Sequence, residues 1–190
     1  LKKVFILFIT MANNTTKLLQ SNDISKIIKR ISHEIIESNI GSSNLALIGI
    51  KSRGDLIANR IAHEITKNSN YDYCIGTIDV TFHRDDYRTN LGSPEVGVSD
   101  IKFDVNGKDI ILIDDVLYTG RTIRAAMDEI FSYGRPNSIR LAVLVDRGHR
   151  ELPIKADFVG KNFPTSNKEH IHVHVKEIDK EDLIYLEKNS

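Results

Sequence analysis

Ile24, Ile27, Ile28, Ile31 and Ile35 recur three or four residues apart, with Lys26, Arg30, His33 and Glu37 between them. That spacing predicts an amphipathic helix, with Asp23 placed to cap it and Gly41 to stop it. The stretch 13–22 before it is polar and predicts no element. Residues 44–50, NLALIGI, form an apolar run read as a buried strand. A loop, Lys51-Ser52-Arg53-Gly54, then leads into a second helix built on Leu56, Ile57, Ile61 and Ile65. Over 73–82, Thr77, Asp79 and Thr81 alternate with Ile78, Val80 and Phe82, the period of a strand. Residues 83–105 break every period and carry Arg84, Asp85, Asp86 and Arg88; a polar segment of this length inside a domain predicts a functional lid or a flexible arm. A strand over 108–113, a helix over about 122–132 and a strand over 138–145 follow, then short apolar segments around Phe158-Val159 and His170 to Val175. Strands alternating with helices predict an α/β fold with a mainly parallel sheet flanked by helices. No repeat or linker divides the chain, so one domain is expected over 19–190, with 1–18 as a disordered or peripheral extension.

Composition narrows the function classes. The chain has 190 residues, 41% apolar and 27% charged, enough for a core without metal or disulfide staples. Lys+Arg and Asp+Glu are both 26, so net charge supplies no bulk attraction to nucleic acid or anionic membrane; such binding needs a local patch. The single cysteine, Cys74, excludes a disulfide framework and fits a reducing, cytoplasmic setting, where it reads as a small packed side chain. No apolar run approaches the ~18 residues of a membrane span. Residues 1–10, LKKVFILFIT, lack the cleavage signal of a secretory leader, and Met11 is the expected start.

The chemistry concentrates in IILIDDVLYTGRT, residues 110–122. A buried strand delivers Asp114 and Asp115, and Val116, Leu117 and Tyr118 lead to Thr119-Gly120-Arg121-Thr122 at the start of a helix. In open α/β sheets ligands bind beyond the carboxyl ends of the strands. Exposed N–H groups at a helix start take phosphate, glycine allows close approach, and paired carboxylates accept hydrogen bonds from vicinal sugar hydroxyls. The combination points to a phosphorylated sugar. No G-x-x-x-x-G-K-[ST] and no G-x-G-x-x-G occurs, which removes P-loop and dinucleotide readings. An acidic pair also marks receiver domains, but there it belongs near the chain start. His170, His172 and His174 alternate, so on a strand they share one face at about 6.5–7 Å; this reads as an exposed face backed by Ile171, Val173 and Val175 rather than a metal site.

The same residues resemble the phosphoribosyl-pyrophosphate (PRPP) motif of the type I phosphoribosyltransferases. Within that family the chain is similar to the bifunctional regulators of pyrimidine operons, through ISHEIIE, LIGIKSRG, DVTFHRDD, DDVLYTGRTIRAAMD and LAVLVDRGHRELPIKADFVGKN. The resemblance implies a type I fold with a small hood and a flexible loop. It implies uracil phosphoribosyltransferase activity, uracil plus PRPP giving UMP plus pyrophosphate, with Mg²⁺ carried mainly by PRPP and no protein metal site. Asp114 and Asp115 would hold the ribose, Thr119 to Thr122 the 5′-phosphate, Ser52 and Arg53 the pyrophosphate, and Arg84 would reach it from the lid. Arg147 and Val159 would serve the base. Tyr118 stands where purine members usually carry an acid, which argues for a pyrimidine. The resemblance also implies UMP- or UTP-dependent binding of pyr leader mRNA through Arg30, His33, Arg150, Lys155 and Lys161, in a homodimer or higher homo-oligomer, with no membrane partner. Lys29 and Ser38 depart from the threonine and arginine usual there. A salvage phosphoribosyltransferase without an RNA role is the alternative reading.

Overall fold

The computed structural model describes residues 14–39, 44–68, 73–80 and 98–188. Residues 1–10 and most of the expected lid, Arg84 included, lie outside the described residues. The elements run β1 (Thr15–Gln20), α1 (Ser21–Ser38), β2 (Leu45–Ile50), α2 (Gly54–Asn68), β3 (Cys74–Ile78), β4 (Asp109–Leu117), α3 (Arg121–Tyr133), β5 (Ser138–Asp146), β6 (Phe158–Asn162), β7 (Glu169–His174), α4 (Lys176–Asp179) and β8 (Leu183–Lys188).

Every residue of β2 is buried, because the strand lies inside a sheet covered on both faces. That sheet has the order β3-β2-β4-β5-β6 and is parallel throughout. Alternate residues feed opposite layers. Leu45, Leu47, Ile111, Ile113 and Leu144 pack with the isoleucines of α1 and α2. Ala46, Ile48, Ile110, Leu112 and Val143 pack with Ile123, Ala126 and Ile130 of α3. All parallel strands end at one edge, which places the loop after β2, the two aspartates of β4 and the segment after β5 side by side. At the other flank, Arg30 of α1 reaches over the edge strand β6 and donates to the carbonyls of Val159 (2.8 Å) and Gly160 (2.7 Å). No helix among the described residues is long and apolar enough to cross a membrane.

A second sheet, β1-β8-β7, is antiparallel and contributes Val173 and Ile184 to the α1–α2 layer. It departs from the sequence expectation in two places. The polar stretch 13–22 holds a strand, Thr15–Gln20, that straddles the boundary expected at 18/19; only Leu19 of it is buried, so it carries no period-2 signal. β8 was not predicted either, since its six residues mix half-buried and buried positions. Asp23 sits three positions inside α1 rather than at its cap, accepting the Gln20 N–H at 3.1 Å. β3 is shorter than expected. β4 is longer and runs through both aspartates to Leu117.

Candidate active site

Asp114 is 5% exposed and paired with Val143 of β5, so the first carboxylate belongs to the sheet rather than to a loop beyond it. Its Oδ1 accepts the Asp115 N–H (2.9 Å), and Asp115 Oδ1 accepts the Val116 N–H (2.8 Å). These local bonds fix both side chains near their own backbone. Val116 and Leu117 still pair with Val145 and Asp146. The turn proper is Tyr118-Thr119-Gly120. Thr119 is 5% exposed; its Oγ1 accepts the Arg121 N–H (3.3 Å) and its carbonyl accepts the N–H groups of Glu151 (3.0 Å) and Leu152 (3.2 Å). Gly120, at φ +93°, precedes α3 with its Cα packed under Ile154, in a backbone state that side-chain-bearing residues rarely adopt. No acidic residue stands in the first turn of α3, so no carboxylate of that turn competes with an anion for the N–H groups at the helix start. Thr122 is half-buried in that turn.

The loop of Lys51, Ser52 and Arg53 leads into α2, whose first residue packs against β4 beside the aspartates. A Cβ on Gly54 would fall 2.4 Å from the Ile113 carbonyl oxygen and 3.0 Å from Asp114 Cα, so only glycine lets the start of α2 press against the end of β4. The Lys51–Ser52 peptide is cis. Lys51 Nζ donates to the Val98 carbonyl (2.9 Å) and its N–H to the Ile78 carbonyl (2.9 Å), tying the loop to β3. Ser52 is exposed. Arg53 is paired with Asp179 of α4 through Nε (3.3 Å) and Nη2 (3.0 Å). At the start of α2, burial pushes the Asp55 carboxyl above its ordinary value, against the hydrogen bond it receives from the Leu56 N–H.

The two residues expected at the base, Arg147 and Val159, are both tied into the framework. Arg147 is 4% exposed; it donates to Thr165 Oγ1 (3.1 Å) and to the Glu169 carbonyl (2.6 Å), and its guanidinium lies 4.0 Å from the centre of the Tyr118 ring. Burial lowers its pKa below the usual arginine value. The guanidinium therefore orients Tyr118, with its Nε and Nη2 donors engaged by Thr165 and the Glu169 carbonyl. Val159 sits in the edge strand, level with Val143 and Asp114 in the ladder, and its carbonyl already accepts Arg30.

Arg150 departs further from expectation. Its guanidinium donates to the carbonyls of Leu117 (3.3 Å), Tyr118 (2.8 Å), Gly148 (3.1 Å) and Ile154 (3.1 Å), and pairs with Asp146. It braces the strand-to-turn junction from within. Arg30 and His33 do share one groove of about 430 Å³ on α1 with Lys26, Lys29, Glu34 and Glu37. Arg30 is held there by Glu34 (2.6 Å) as well as by β6. Lys155 and Lys161 are exposed.

Sequence reasoning missed the carboxylates behind these arginines. Arg121 is paired with Glu151 (2.6 Å), Arg53 with Asp179, and Arg150 with Asp146. Only the last pair, four residues apart, has a spacing that could have suggested it. Among the described residues no group of three or more His, Cys, Asp or Glu is arranged to hold a metal ion. Of the histidine trio, His172 stacks on Tyr185 at 4.8 Å and contacts Glu187 at 2.8 Å.

Residues 14–178 match the family model for a phosphoribosyl transferase domain. The chain is 53% identical over 170 residues to the bifunctional protein PyrR of Clostridioides difficile, covering 90% of this chain and 96% of that protein. It is 47% identical to the bifunctional protein PyrR of Bacillus subtilis, over 93% and 99% of the two chains. Among solved structures, a hypoxanthine phosphoribosyl transferase of Trypanosoma cruzi superposes with a TM-score of 0.71 at 19% identity, covering 93% of each chain. At that identity the likeness speaks for the fold.

Proposed function

The chain belongs to the phosphoribosyltransferase family and, within it, to the PyrR group, and on that premise we propose how its residues divide the work of a bifunctional protein. It is a pyrimidine-operon regulator and a uracil phosphoribosyltransferase. The observation that carries the catalytic half is the contact at Gly54, which sets the Lys51–Arg53 loop against the backbone of Asp114. A sugar held at the aspartates then has its 5′-phosphate at the start of α3 and its pyrophosphate at the other loop.

In the proposed reaction, uracil N1 forms a bond to C1′ of PRPP as the bond from C1′ to pyrophosphate breaks, and the N1 proton is released. Charge develops on the ribose ring and on the leaving pyrophosphate. Asp114 and Asp115 accept the ribose hydroxyls and keep the ring in place. The N–H groups and hydroxyls of Thr119 to Thr122 take the 5′-phosphate. Ser52 and Arg53, with Arg84 from the lid, face the pyrophosphate, where fixed donors stabilise accumulating negative charge. The carboxylate oxygens of Asp114 and Asp115 are the donor type that suits Mg²⁺, which would be carried mainly by PRPP without a protein cage. Bound with PRPP, it would supply charge neutralisation at the leaving pyrophosphate. Tyr118, locked under Arg147, closes the wall where the base enters. The segment carrying Arg147 and Val159 serves the base through that wall. The setting is cytoplasmic, where nascent RNA and PRPP meet.

For the regulatory half, Arg30, His33, Lys155 and Lys161 supply the cations, and Arg150 acts through the loop it braces. In a homo-oligomer, copies of the α1 groove would combine into a larger basic surface. The test is a titration of pyr leader RNA with and without UMP at several salt concentrations. UMP is expected to tighten binding, and log affinity to fall with log salt at ~0.7–0.9 per phosphate neutralised. Lys161→Ala should flatten that slope by about one such increment and leave UMP synthesis within twofold. RNA binding that ignores UMP, or shows no salt dependence, contradicts the regulatory reading.

A further inference from the structure

The guanidinium of Arg53 enters the site already gripped. Its Nε donates to Asp179 Oδ2 at 3.3 Å and its Nη2 to Oδ1 at 3.0 Å, which uses two of the five N–H donors of an arginine. The Nη1 group is not among them. Asp179 is itself immobilised. Its Oδ2 also accepts the Val175 N–H at 2.9 Å, and its side chain is 15% exposed against 28% for Arg53. Burial pushes the Asp179 carboxyl up, but the Val175 amide and Arg53 together outweigh it and hold it below the usual carboxylate range, so it is ionised at neutral pH. The helix that carries it, α4, is fastened to α2 at a second point. There Arg60 contacts Glu177 at 2.5 and 2.9 Å and Asp182 at 2.7 Å. Asp179 lies one residue beyond the segment that matches the phosphoribosyl transferase domain, 14–178.

We propose that Asp179 is a positioning residue for the pyrophosphate loop, fixing the Arg53 guanidinium so that its remaining donors are presented to the pyrophosphate of PRPP. The proposal rests on the phosphoribosyltransferase reading above. Arginine has a long, rotamer-rich side chain, and binding through it costs ordering entropy unless another group has already ordered it. A side-on carboxylate does this while leaving the Nη1 end of the fork for a second anion. Two effects oppose each other. The carboxylate lowers the net positive charge near the pyrophosphate, which alone would make its removal tighten PRPP. It also holds the guanidinium in one orientation, which makes its removal loosen PRPP. Asp179 is anchored by a backbone amide and mounted on a helix with its own clamp, and a group held that firmly contributes order. The second effect dominates.

The experiment compares Asp179→Asn, Asp179→Glu, Arg53→Ala, Arg60→Ala and the double variant Arg53→Ala/Asp179→Asn. It measures UMP formation with PRPP or uracil varied, PRPP binding by calorimetry, and melting temperature. Asp179→Asn keeps an acceptor for the Val175 amide and the shape of the side chain. It is expected to raise KM and Kd for PRPP by 5- to 20-fold, with kcat and the KM for uracil within twofold. Asp179→Glu should recover part of that loss. In the Arg53→Ala background, Asp179→Asn should change PRPP binding less than twofold, because the partner it positions is gone. Arg60→Ala loosens α4 but leaves the Asp179 carboxylate in place; it should lower the melting temperature and raise the KM for PRPP by clearly less than Asp179→Asn does. The proposal is overturned by an unchanged or lower KM for PRPP in Asp179→Asn, by additive losses in the double variant, or by an Arg60→Ala effect on PRPP as large as that of Asp179→Asn. A wild-type chain that binds PRPP yet makes no UMP would instead refute the uracil reading, and calorimetry would still decide the role of Asp179.

Discussion

A chain carrying Asp114→Asn and Asp115→Asn together is expected to keep its fold and to form UMP at least ~100-fold more slowly. Each hydrogen bond to a charged acceptor contributes about 1.5–3 kcal/mol, and about 1.4 kcal/mol is a tenfold change in rate. The local roles of both side chains survive the change, since Asn Oδ1 can still accept the Asp115 and Val116 N–H groups now held at 2.9 and 2.8 Å. What is lost is the charge proposed to face the ribose hydroxyls and the ring as it becomes electron-poor. Steady-state assays with PRPP varied should show kcat/KM for PRPP falling far more than the melting temperature. UMP synthesis at the wild-type rate would refute the ribose assignment.

Arg150→Ala is expected to damage stability and catalysis together. The guanidinium satisfies the carbonyls of Leu117, Tyr118, Gly148 and Ile154 and pairs with Asp146. Breaking a buried pair of this kind costs about 3–5 kcal/mol. The two side chains retain 22% and 18% exposure, so water recovers part of that. A net loss of roughly 2–4 kcal/mol corresponds to roughly 5–15 °C in melting temperature for a chain of this size. Because the released carbonyls flank the turn that leads to Thr119, UMP synthesis should fall by more than tenfold even below the new melting temperature. Arg150→Lys keeps the charge but offers a point donor in place of a planar fork, and should recover only part of the loss. Differential scanning calorimetry beside the UMP assay checks both halves. If Arg150→Ala weakens RNA binding alone and leaves the melting point and UMP synthesis intact, the brace is not what holds the turn. The contrast with Lys161→Ala, where only RNA binding should change, separates a framework arginine from a surface cation.

The parts of the site that the sequence made legible are those built from one continuous segment. The strand, aspartate pair, turn and α3 occupy 109–133 without interruption, and each piece has its own local signal: an apolar run, two acids, a glycine at a helix start. Legibility fails where the deciding partner is remote or is backbone. Arg150 and Arg147 look like surface cations in a polar segment, and nothing in their neighbours reveals the carbonyls that consume their donors. Arg53 and Asp179 lie 126 residues apart, and no spacing rule joins them. β1 and β8 pair at the margin of the molecule, where one face is wet and the other only partly covered, so neither writes a clean alternation. The length of β4 was underestimated for a related reason. Aspartate is a poor strand former, and here tertiary pairing with Val143 through Asp146 overrides that preference.

The central claim is that this chain joins uracil to PRPP at the aspartates of β4. The most direct measurement incubates the purified protein with PRPP, Mg²⁺ and an equimolar mixture of uracil, hypoxanthine and guanine, and follows nucleotides and pyrophosphate together. The account predicts UMP, with one pyrophosphate released for each, and little purine nucleotide. Protein that binds PRPP but makes no UMP, or that prefers a purine from the mixture, would contradict it.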